Sequence, residues 1–157
     1  MTKNRGFTFI ELMMTLAIMG VLAFVAVPMM ELTIQREKEK ELRIALMKIR
    51  EALDAYKKAT EQGQIAWRMG ESGYPKNLLD LVEGVSDMKS LTRQKIYFLR
   101  RLPRDPMNPD HILKPEDTWG KRSYRSPPDR PEEGEDVFDV FSLSSGVGLN
   151  GQPYREW

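Results

Sequence analysis

The chain has no cysteine, and only one histidine, His111, among its 157 residues. The first absence excludes disulfides, thiol nucleophiles and thiolate metal sites. The second excludes any mechanism that needs a pair of imidazoles. His111 stands beside Asp110 in a proline-rich stretch, with no serine placed as its partner. No phosphate loop and no metal-spaced cluster appears. No enzymatic activity is expected. Excess charge is lacking too. The formal net charge is +1, so neither a basic nucleic-acid binder nor an acidic tail is indicated, and nucleic acid is not an expected partner. Charge is missing altogether from one long stretch: none occurs between Glu11 and Glu31.

That uncharged stretch is the most informative part of the chain. At about 1.5 Å rise per residue, a helix from Leu12 to Met30 would cross a hydrocarbon core of about 30 Å. Lys3 and Arg5 precede it, which predicts a cytoplasmic N-terminus and export of the remainder. Glu11 lies near its start. An acid at the centre of a membrane helix costs roughly 2.5–3.5 kcal/mol, and less towards an end. Glu11 therefore either reaches the interface or awaits a cation. Gly6 lies between the basic leader and the apolar run, whereas a secretory signal is cut after its apolar region. Cleavage after Gly6 would leave the helix attached and free an amine on Phe7, a cation for Glu11. A rival small-residue site follows Val21-Leu22-Ala23 and would release a soluble domain instead.

The run Gly6-Phe7-Thr8-Phe9-Ile10-Glu11-Leu12-Met13 resembles the class III signal of type IV pilins and type II secretion pseudopilins. The resemblance implies a prepilin peptidase that cuts between Gly6 and Phe7 and N-methylates Phe7. It also implies that Glu11, fifth in the mature chain, acts in assembly.

Four segments are expected: a leader, residues 1–6; a transmembrane or filament-core helix, 7–30; its amphipathic continuation, 31–62; and an exported domain, 63–157. Pro28 has no N–H for the carbonyl of Phe24, which predicts a kink or unwinding near Phe24–Pro28. Beyond Met30, residues Leu42, Ala45, Leu46, Ile49, Ala52, Leu53 and Tyr56 recur at spacings of three and four. They form an apolar stripe for the body to pack on. The charge run Arg36–Arg43 reads as a solvated face, and Gly63 as the helix stop. Trp67 reads as a packing anchor. Asn77 would cap a short helix to about Glu83, with Leu78, Leu79, Leu81 and Val82 facing inwards. Ser90–Arg101 reads as a second short amphipathic segment. Prolines between Pro103 and Pro115 enforce an extended loop. Strands are expected at Lys121–Ser126 and Asp136–Leu143, the second buried on both faces. Tyr154 and Trp157 would close against the body.

The body extends the resemblance, in outline over nearly the whole chain. Tyr74-Pro75, the run Tyr97-Phe98-Leu99-Arg100-Arg101-Leu102-Pro103-Arg104-Asp105-Pro106, Trp119-Gly120 and Asp139-Val140-Phe141-Ser142-Leu143 are similar to the G-type major pseudopilin. The implied fold is α+β and pilin-like: a long N-terminal helix, membrane-spanning in its first half, packed on a small antiparallel sheet. The implied function is a structural subunit of the type II secretion pseudopilus. Its implied partners are copies of itself in a helical filament, prepilin peptidase, minor pseudopilins, and an inner-membrane platform with its ATPase. The location would be the bacterial inner membrane, single-pass, then a periplasmic filament. A type IV pilin for adhesion, motility or DNA uptake is the alternative, and a membrane-tethered enzyme or binding domain a remote one. The family often binds calcium in its last loop. Here Ser144–Gly151 carries no carboxylate, and only Asp136, Asp139 and the Asn150 carbonyl could contribute to a site preferring six to eight oxygens. No cofactor is expected.

Overall fold

A computed structural model of the chain describes residues 7–92 and 94–157; within the first helix the side chains of 25–28 are not described. Gly6 therefore lies outside the described residues. Helix α1 runs Phe9–Glu61. It crosses the boundary between two units, one ending at Glu37 and the other running Lys38–Trp157.

In the first unit α1 is apolar all round from Leu12 to Met30. Its large side chains are exposed, among them Phe9, Leu16, Leu22, Phe24, Met30 and Ile34. A helix with no polar face is stable in lipid or among other apolar helices, not in water. This part of α1 contains an apolar window long enough to cross a membrane, and none of that window is buried. The backbone is helical through residues 24–28; the side chain of Pro28, where a kink or unwinding is expected, lies outside those described.

In the second unit α1 is amphipathic, and its stripe is the core. Leu42, Ile49 and Leu53 are fully buried, and Ala45, Leu46, Ala52 and Tyr56 nearly so. Full burial of such an aliphatic side chain stabilises by roughly 1.5–3 kcal/mol. The stripe packs with Leu78, Leu81, Leu102, Trp119, Val137, Val140 and Tyr154. The helix ends as its glycine requires. Gly63 has φ 72°, its N–H bonds to the Thr60 carbonyl at 2.9 Å, and the Gln64 N–H bonds to the Ala59 carbonyl at 2.9 Å. This paired closure satisfies carbonyls the last turn would leave open.

Helix α2, Asp80–Glu83, is shorter than expected. The capping expectation is reversed as well. Asn77 supplies a main-chain donor rather than a side-chain acceptor: its N–H donates to the Asp80 carboxylate at 3.1 Å. Leu78 and Leu81 face inwards, whereas Leu79 is exposed and Val82 half-buried, because one turn has only one inner face. The segment expected at Ser90–Arg101 instead contributes one side of a small hairpin. Strand β1, Val85–Ser86, pairs antiparallel with β2, Lys95–Ile96, and the Asp87 N–H extends the pairing to the Gln94 carbonyl at 2.8 Å.

Strand β3, Trp119–Arg122, pairs antiparallel with β4, Asp139–Ser142, in the register Trp119 with Ser142 and Gly120 with Phe141. Both strands are shorter than expected, and β3 begins at Trp119 rather than Lys121. The Ser123 N–H turns away to the Glu132 carbonyl, and the Val137 N–H to the Pro75 carbonyl. The expectation of two buried faces for the second strand is corrected. Val140 and Ser142 are buried, while Asp139 and Phe141 are half-buried and Leu143 exposed; only one face of the strand is fully covered. Gly120 has a packing reason, since a Cβ there would run into the Phe141 ring. Trp67 is corrected as well. It is 53% exposed and holds its own loop, donating from Nε1 to the Glu71 carbonyl at 2.9 Å. Ile65 takes the buried position nearby.

Candidate functional site

The N-terminal site begins at the first described residues. Thr8 precedes α1, and Glu11 is its third residue. The Glu11 N–H donates to Thr8 Oγ1 at 3.3 Å, and the Thr8 N–H donates to Glu11 Oε2 at 3.5 Å. This is a capping box: each side chain satisfies a backbone donor the helix start leaves open. Glu11 thus has a local partner in the chain before any second subunit is considered. Phe7 is exposed, one residue before the cap.

The second grouping explains why Leu102-Pro103-Arg104-Asp105-Pro106 is built as it is. Asp105 is 1% exposed. Its Oδ2 accepts the Ser142 hydroxyl at 2.5 Å and its Oδ1 accepts the Met107 N–H at 2.8 Å. Its own N–H donates to Thr118 Oγ1 at 3.2 Å. The Trp119 indole donates to the Pro103 carbonyl at 2.9 Å. Arg104 donates to the carbonyls of Asp110 and Leu113. The proline loop is therefore tied to β3 and β4 by buried polar bonds. In the sequence Asp105 reads only as a turn residue before proline, with no sign of this role.

The third grouping lies around loop 144–151. Glu39, expected on a solvated face, is 7% exposed. Its Oε1 accepts the Leu149 N–H at 2.8 Å and the Tyr154 hydroxyl at 3.0 Å. The Arg43 guanidinium stands 4.5 Å from the Trp157 ring centre. Tyr154 and Trp157 meet edge to face, 5.2 Å apart. Both pack against the body as expected.

The oxygens considered for calcium are engaged elsewhere. Asp139 pairs with Arg50 at 2.8 Å and Arg122 at 3.5 Å. Asp136 Oδ1 accepts the Tyr124 N–H at 2.9 Å. Asn150 Oδ1 accepts the Gln152 N–H at 3.1 Å. Among the described residues no group of three acidic or histidine side chains is placed to hold a metal. This donor set does not fit calcium.

A cleft of about 900 Å³ is lined by Tyr56, Glu71, Tyr74, Tyr124 and Asp136 among others. Burial, then the nearby Asp80 and Glu71, raises the Tyr56 pKa. Burial, then Asp54, raises that of Tyr74. The Arg68 N–H lowers that of Glu71. These shifts follow from packing and hydrogen bonding. Among the described residues lining the cleft there is no histidine or cysteine, and nothing there reads as a nucleophile beside its base.

Residues 1–27 match the family model for the prokaryotic N-terminal methylation motif. The type II secretion system core protein G of Klebsiella pneumoniae is 29% identical over 87% of this chain and 94% of its own length. The protein of the same name from Dickeya chrysanthemi is 25% identical over 95% and 94%. That from Vibrio cholerae is 26% identical over 97% and 85%. The motif and these relatives support a type IV pilin-like major pseudopilin of the G type. No solved structure gives a significant match. The relatives are named as core proteins of a secretion system rather than as enzymes. A pseudopilin with one apolar N-terminal helix fits a protein anchored in the inner membrane. In this pseudopilin Thr8, Asp105 and Glu39 hold positions that sequence reasoning passes over. Of these, Thr8 carries the clearest signal: Thr8-Phe9-Ile10-Glu11 has the capping-box spacing.

Proposed function

We propose that this pseudopilin is cut between Gly6 and Phe7 by a prepilin peptidase, N-methylated on Phe7, and polymerised into a periplasmic filament that helps export folded proteins. The observation that carries this reading is the methylation-motif match over residues 1–27, set on a helix whose apolar window is wholly unburied. Lys3 and Arg5 keep the leader cytoplasmic. Cleavage turns the Phe7 nitrogen from an amide into an amine that is protonated near neutrality. Glu11 then exchanges its weak 3.5 Å bond to the Thr8 N–H for a charged partner on a neighbouring subunit. Lipid and a bundle of apolar helices are similar solvents, so burial alone gives assembly little direction. The Glu11–amine pair supplies register. Extraction from the membrane is driven by a cytoplasmic ATPase acting through an inner-membrane platform, and minor pseudopilins are further partners. The relatives' names favour this task over adhesion, motility or DNA uptake.

The test is Glu11→Val. The variant is processed normally, with Phe7 at the mature N-terminus by sequencing, but cross-links into filaments poorly. Normal filaments from Glu11→Val would refute the role of Glu11; a mature N-terminus at Phe24 would refute the processing.

A further inference from the structure

We propose that loop 144–151 is locked by the Glu39 carboxylate in the place of a bound calcium ion, so that the folded body of this chain needs no divalent metal. The proposal stands apart from the assembly role of Glu11. Glu39 precedes Leu42 by three residues on α1, at the end of the apolar stripe, so the helix delivers a carboxylate into the groove that the loop closes. There it accepts one main-chain donor, Leu149 N–H, and one side-chain donor, Tyr154 O–H. A buried carboxylate bonded to both the loop and Tyr154 holds them to the helix, as a cation holds a loop through its carbonyls.

Two of the loop's own carbonyls are already used. The Gly146 carbonyl accepts the Tyr154 N–H at 3.1 Å, and the Gly148 carbonyl accepts the Gly151 N–H at 2.9 Å. The Gly148 N–H in turn donates to the Gln152 carbonyl at 2.8 Å. The loop also sits in close contact with the two aromatic rings. A Cβ at Gly146 would lie 2.9 Å from Tyr154, and one at Gly148 2.5 Å from Trp157. Nearby charge disfavours a cation further. Arg43 lies over Trp157, and Arg50 donates to the Trp157 main-chain oxygen at 2.8 Å and pairs with Asp139. The carboxylate that could have served a metal is thus held by a guanidinium.

The experiment is thermal unfolding of the full chain in detergent, with excess calcium and with a chelator. Wild type is expected to melt at the same temperature in both. Glu39→Ala is expected to melt about 5 °C or more lower in both, as a buried bonded carboxylate is lost, and to lose Trp157 faster to carboxypeptidase. The exposed neighbour Glu41→Ala is expected to behave as wild type. If Glu39→Ala fails to fold, Tyr154→Phe, which removes one donor, is expected to show a smaller drop that calcium does not restore. A calcium-dependent rise in the wild-type melting temperature would overturn the proposal, as would Glu39→Ala or Tyr154→Phe melting and digesting like wild type.

Discussion

Helix α1 is one element of secondary structure in two chemical regimes. From Phe9 to Glu37 its large apolar side chains are exposed on every side; from Lys38 to Glu61 most lie on one stripe and are buried. Both parts satisfy their backbone in the same way, through the helix itself. They differ in where the side chains find apolar company. The second part finds it in its own chain. The first must find it outside, in lipid or in other copies. A helix's hydrogen bonds therefore say nothing about its solvent, whereas the angular spread of its apolar residues does.

The contrast is tested most severely by truncating one side chain in each part. Leu53→Ala should destabilise the body by about 2–5 kcal/mol, through lost burial and the cavity left behind. Leu16→Ala should leave the body's denaturant midpoint unchanged. Equal losses from the two variants would show that the first part is also packed within the chain. A smaller effect is expected at Asp105. Asp105→Ala should cost about 1–3 kcal/mol, because the Ser142 hydroxyl and Met107 N–H lose their buried acceptor; chemical denaturation would measure it. Thr8→Ala should weaken the start of α1 by about 1 kcal/mol, seen as faster amide exchange in the first turn with no change in the body's midpoint.

The smallest effect is in alkali. Tyr56 and Tyr74 have pKa values raised by burial. Above their ordinary value of about 10 the unfolded chain releases protons the folded chain keeps. Stability is therefore full below about pH 10 and falls as pH rises through the raised values. Tyr56→Phe should flatten that fall in a series of melts. An unchanged slope in that variant would remove Tyr56 as a source.

Much of this molecule is readable in its residues. The stripe from Leu42 to Tyr56, the stop at Gly63, the proline loop and the antiparallel pairing of the last two strands all follow from local pattern. Trp67 misleads because size alone does not decide which of two neighbouring apolar residues reaches the core. Leu79 and Val82 mislead because a one-turn helix cannot bury four residues at once. Glu39 misleads by residue type. Its spacing from Leu42 and Leu46 places it on the buried face, but its charge argues for water, and only the donors of Leu149 and Tyr154 reverse that preference.

The long helix, its division into an all-round apolar part and a striped part, and the signal at Gly6–Glu11 are written in the order of the residues, because each depends on neighbours along the chain. Which polar groups are buried is settled only when the chain folds. The bonds from Asp105 to Ser142 and from Glu39 to Tyr154 join residues far apart in sequence. A buried carboxylate is tolerated only where folding brings donors to it.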